Sequence, residues 1–121
     1  MKPAKHTAEF SGRLSILIFF LLFFPEIVLS ATRYVWSGGN NTPPYSSWTD
    51  AAQDIQTALT GATAGDTILV TNGTYTSAST IIAQITNAVT LQSVNGPDTT
   101  TLDAQGTGST DRRCIFITTT A

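Results

Sequence analysis

The stretch Ala64 to Tyr75 (AGDTILVTNGTY) restricts the fold of this chain more than any other. Gly65-Asp66 is a turn signal. Thr67 to Thr71 alternates polar and apolar residues, with Ile68 and Val70 on one face. Asn72-Gly73 turns the chain again, and Thr74-Tyr75 opens a new extended run. A short β-branched strand between two sharp turns, echoed further along, points to a coil of a wound sheet.

The echoes are Ser79–Thr86 (STIIAQIT), Val89–Val94 (VTLQSV), Thr100–Ala104 (TTLDA) and Arg113–Thr118 (RCIFIT), with Ala31–Trp36 (ATRYVW) as a first strand. Ile68, Leu91 and Ile115 lie 23 and 24 residues apart, and Ile81 and Leu102 lie 21 apart. A shared period of this size predicts stacked coils, each adding a rung to two or three parallel sheets. Ile68, Leu91 and Ile115 would then stack inside, followed by Val70, Ser93 and Ile117. Leu69, Gln92 and Phe116 would point out. The competing architecture is a small antiparallel sandwich. Two-residue hairpin turns are scarce, and Asn72-Gly73 would pair Ile68–Thr71 with a run of little apolar content, so the coil is preferred.

One helix is expected, over Trp48–Thr60 (WTDAAQDIQTALT). Trp48, Ala51 or Ala52, Ile55 and Leu59 recur at helical spacing. Ser47 with Asp50 resembles a capping box, and Gly61 occupies the C-cap position. Trp48 reads as a core anchor at the helix start, in preference to a sugar-stacking platform. Between β-strand and helix, Ser37–Ser47 (SGGNNTPPYSS) is loop. Asn40-Asn41-Thr42 and Asn72-Gly73-Thr74 fit the N-glycosylation pattern.

The first thirty residues read as a secretory signal peptide, removed from a domain that spans 31–121. Lys2, Lys5 and Arg13 lead into the apolar run Leu14–Phe24, and Val28-Leu29-Ser30-Ala31 supplies small residues for cleavage. Cleavage is placed after Ser30, with Ala31 as the next choice. A membrane anchor is the rival, but the run before Pro25 is half the roughly 20 residues a span requires. Either way the remainder faces the outside of the cell. From Ala31 onward the charges are Arg33, Arg112 and Arg113 against Asp50, Asp54, Asp66, Asp98, Asp103 and Asp111, a net −3 with no lysine. That balance lacks the basic footprint of a nucleic-acid binder. The single cysteine, Cys114, has no internal partner, and the only histidine, His6, leaves with the leader. Cys114 therefore reads as a small apolar filler in a strand.

With these residues assembled, the chain resembles the entry coils of the right-handed parallel β-helix proteins, the pectin-lyase-like superfamily. The similar pieces are Trp48–Leu59, Gly65–Val70, Gly73–Tyr75 and the step Val89–Pro97. The resemblance implies an all-β solenoid whose one α-helix caps the first coil. The last expected strand is followed by no cap, and three or so coils with one open end are marginal for burial, so residues 31–121 are expected to be an incomplete part of a longer domain.

Function is less constrained, because this superfamily hosts lyases, hydrolases, epimerases and adhesins. A polysaccharide lyase or glycoside hydrolase would need carboxylates converging across rungs. Asp98, Asp103 and Asp111, with Arg112 or Arg113, are the candidates; they do not recur at the coil period and read first as solvated turn residues. No catalytic, cofactor or metal residue is assigned. The preferred reading is a secreted or cell-surface module binding a polysaccharide or cell-surface glycan. An enzyme whose catalytic coils lie elsewhere is the alternative, and a structural fragment without activity is the third.

Overall fold

The computed structural model describes Ile27 and residues 29–118. The expected leader lies outside the described residues except for Ile27, Leu29 and Ser30. Among the described residues no helix is long and apolar enough to cross a membrane.

Among the described residues, seven short strands and one helix follow in order: β1 (Thr32–Val35), α1 (Ile55–Thr60), β2 (Thr67–Val70), β3 (Gly73–Tyr75), β4 (Ile81–Ile85), β5 (Thr90–Ser93), β6 (Thr100–Leu102) and β7 (Arg113–Ile117). The class is all-β, and every strand pairing is parallel. One sheet runs β1-β2-β5, a second β3-β6 and a third β4-β7. The chain visits these sheets in rotation, from β2, β3 and β4 to β5, β6 and β7. The antiparallel sandwich is thereby excluded for these residues.

In the first sheet two members of each expected row stack, Ile68 with Leu91 and Val70 with Ser93. Arg33, Ile68 and Leu91 share a register line, and Val35, Val70 and Ser93 share another. Ile68 and Val35 are fully buried. They join Ile55, Ala58, Leu59, Tyr75, Ile82 and Ala83 in one core, against which Leu91, Leu102 and Cys114 also pack. The buried Tyr75 hydroxyl donates to the Thr71 carbonyl at 3.1 Å, so its polar tip is satisfied.

Ile115 departs from expectation. It pairs with Ala83 in the third sheet and is 45% exposed, and Ile117 is 62% exposed. Leu102 pairs with Tyr75, and Ile81 with Arg113, so the second expected column does not form either. The cause is uneven spacing between paired strands. Thr67 pairs with Thr90, Gly73 with Thr100 and Ile81 with Arg113, offsets of 23, 27 and 32. The turns after β5 and β6 are longer than those after β2 and β3, so one fixed period cannot follow the chain past β5. Cys114, not Ile115, is the β7 side chain that packs against the core.

The helix is also shorter than expected. Ala52 forms a parallel bridge with Val35: its N–H donates to the Tyr34 carbonyl at 2.9 Å, and its carbonyl accepts from Trp36 N at 2.8 Å. Backbone drawn into a strand edge cannot also make helical i to i−4 bonds. The true N-cap is Asp54, which accepts from Thr57 N at 2.7 Å, and Gly61 is the C-cap as expected. Ser47 and Asp50 do bond each other, Asp50 N to Ser47 Oγ at 3.1 Å, but in the turn ahead of the helix. At six residues α1 depends on its buried face of Ile55, Ala58 and Leu59.

Two starting edges are covered. The outer edge of β1 bonds to the segment that follows it, with Tyr34 N donating to the Tyr45 carbonyl at 2.8 Å as well as the Ala52 pair. On β4, the Gln84 N–H donates to Gln56 Oε1 of α1 at 2.7 Å. A side chain of the helix thus occupies a backbone donor that would otherwise recruit another strand. By contrast β5, β6 and β7 each have one strand partner among the described residues.

Gly39 is a point of close backbone approach. A Cβ there would collide with the Ala51 carbonyl and Cβ, the latter at 2.8 Å. Gly39→Ala is expected to destabilise the fold by about 1–3 kcal/mol, read as a lowered urea midpoint.

Candidate functional site

Three groups of polar and aromatic side chains merit comparison. The first is the acidic set read from the sequence. Asp98 is exposed in the turn after β5. Asp103 is exposed and accepts locally from Gln105 N at 2.8 Å. Asp111 shares the rim of a shallow depression with Arg112 and Arg113, in the loop of residues 106–113. Arg112 is already engaged: its guanidinium donates to the carbonyls of Ala104 at 3.1 Å and Ser77 at 3.3 Å, tying that loop to the turn before β4. Arg113 lies over the Phe116 ring, 5.1 Å from its centroid. The three aspartates therefore do not converge. Among the described residues, no three His, Cys, Asp or Glu side chains are grouped to hold a metal ion.

The second group was not found from the sequence. Asp66, in the turn that opens β2, is fully buried. Gly65 sets that turn with φ +92°, a conformation that favours glycine. The carboxylate accepts three hydrogen bonds: Oδ1 from Ala31 N at 2.9 Å, and Oδ2 from Thr63 N at 2.9 Å and Arg33 Nε at 3.1 Å. Arg33 also donates from Nη1 to the Pro44 carbonyl at 3.0 Å. The backbone amide of Thr63, then that of Ala31, then Arg33 hold the Asp66 carboxyl down to about 2 from 3.8, against the opposing effect of burial. One signal was available. Arg33 and Val35 share a strand face, so an inward Val35 carries Arg33 towards the interior, where it requires an acid.

The third group is aromatic. Tyr34 and Trp36 sit two residues apart on either side of the buried Val35, which places both on the outer side. Trp36 is 41% exposed, and Gly38 lies so close beneath its indole that a Cβ would clash at 2.7 Å. Trp48 meets Tyr34 edge-on, with centroids 4.5 Å apart and planes at 71°. Trp48 is 36% exposed and lies seven residues ahead of Ile55, where α1 begins, so it is not the core anchor of a helix start. Both tryptophans of the chain thus present ring surface to solvent around one strand.

Comparison of the chain with family models, with curated proteins and with solved structures finds no match.

Proposed function

We propose that the described residues are entry coils of a right-handed parallel β-helix that works outside the cell as a glycan-binding or adhesive module. Support for the coil comes from the rotation of the chain through three parallel sheets and from the covered starting edges. The observation that carries the glycan reading is the exposed ring surface of Trp36 and Trp48, with the half-buried Tyr34 against Trp48. Ring faces of this kind offer apolar area to the C–H faces of a sugar and leave its hydroxyls to solvent and polar neighbours. Neutral glycans suit it better than polyanionic ones. Arg33 is committed to Asp66 and Arg112 to backbone carbonyls, and the net charge from Ala31 onward is −3. The dispersed aspartates weigh against a catalytic assignment to these residues.

Trp36 and Trp48 are the only tryptophans, so indole emission reports on this surface alone. Titration with neutral oligosaccharides is expected to shift that emission saturably. Trp36→Ala and Trp48→Ala are each expected to weaken binding about tenfold or more, the scale for truncating an anchoring aromatic ring. Unchanged emission and no retention across a panel of neutral glycans would refute the reading.

A further inference from the structure

The residues that surround Asp66 connect it to the leader. Ala31 is the first residue held by the sheet: its carbonyl accepts from Thr67 N at 2.9 Å and its N–H donates to Asp66. Ahead of it, the apolar side chains of Ile27 and Leu29 are 88% and 83% exposed. Packed structure thus begins at the residue where the small-residue pattern Val28-Leu29-Ser30 places cleavage.

We propose that hydrolysis of the Ser30–Ala31 bond creates an α-ammonium group that pairs with the buried Asp66 carboxylate, making leader removal the step that completes the first rung. Water adds across the amide under a signal peptidase; Ser30 leaves as a carboxylate, and the Ala31 amine takes up a proton. A neutral amide donor at 2.9 Å from Asp66 Oδ1 becomes a cationic one. Gly65, whose carbonyl accepts from Ser30 Oγ at 2.6 Å before cleavage, offers a second acceptor in the same turn. The fully buried carboxylate then faces two cations, the ammonium and Arg33. Among the described residues, β2 (TILV) and α1 (IQTALT) bring no ionisable side chain to it, and β1 (TRYV) brings Arg33.

This inference rests on the leader reading, and one preparation separates the two. The full chain is expressed in a secreting host, and the exported product is sized by intact mass. It is expected to begin at Ala31. Residues 31–121 contain no lysine, so the α-amine is then the only amine to acylate. A pairing that raises the amine pKa by one unit above its usual range of about 7.7–8.0 lowers the reactive neutral fraction tenfold. Acetylation at pH 7 is therefore expected to run about tenfold or more slower on the folded chain than on the same chain in urea. A product that keeps its leader, or starts at Thr32 or any other residue, overturns the cleavage assignment. An Ala31 terminus that reacts equally fast in both states overturns the pairing.

Discussion

Asp66→Ala is expected to destabilise the protein by about 3–5 kcal/mol, the scale for removing one partner of a buried ion pair. The substitution strands three donors at once: the amides of Ala31 and Thr63 and the Arg33 guanidinium. Two of them fix the strands on either side, because Ala31 leads into β1 and Thr63 joins α1 to β2. A loss of this size is a large share of the stability of a small domain. Urea denaturation at pH 7 measures it as a fall in midpoint with the slope retained. Asp66→Asn keeps the shape and loses the charge, so Arg33 remains poorly compensated and a smaller loss is expected. The same carboxylate predicts an acid limb. Its native pKa of about 2 lies below the unfolded value of 3.8, so the unfolded chain binds more protons between those two values. The stabilisation is fully present above about pH 4 and is lost as the pH falls towards 2. It amounts to about 2 kcal/mol, the free-energy equivalent of the pKa shift. Asp66→Asn should lack that component of the acid limb.

The parts of the fold that could be read in the chain are those in which backbone propensity and burial agree. Thr67–Val70 is a strand because β-branched residues lie between two turns, and its face assignment is correct because Ile68 and Val70 are both buried. The Leu91 register followed from the same alternation. Cys114 is a half-buried filler, as its isolation from any second thiol or histidine suggested. The parts that failed are those in which tertiary bonding overrides a local pattern. Trp48, Ala51, Ile55 and Leu59 keep helical spacing, yet Ala52 is taken by Val35 into a strand edge, and α1 starts only at Ile55. Asp66 reads locally as a turn aspartate; the distant donors Ala31 N and Arg33, which only the tertiary fold brings to it, make it a buried anchor. The candidate aspartates form no common site: Asp98 lies between β5 and β6, while Asp103 and Asp111 sit at opposite ends of the connection from β6 to β7. The aromatic surface was half visible: Trp48 was read inward because the helix was drawn too long.

Ile68→Ala and Ile115→Ala test that distinction directly, because spacing alone treats the two isoleucines as equivalent. Ile68 is fully buried at the centre of the first sheet, with Arg33 on one side and Leu91 on the other. Its truncation removes apolar contacts to the core and leaves a cavity between β1 and β5, at an expected loss of about 2–5 kcal/mol. Ile115 is 45% exposed and pairs with Ala83 in another sheet. An exposed position away from caps and ion pairs changes stability by about 0.5 kcal/mol or less, and Ile115→Ala should stay within that range. The comparison is made by urea midpoints on the two variants in parallel. A loss at Ile115 as large as that at Ile68 would mean that Ile115 is covered in solution by something packed against β7. Its free edge and the exposed Ile117 would then belong to a buried surface, and the described residues would be the inner part of a larger packed unit. A small effect at Ile115 beside a large one at Ile68 would fix the interior of the fold on the column Arg33, Ile68 and Leu91, which Asp66 anchors at its start.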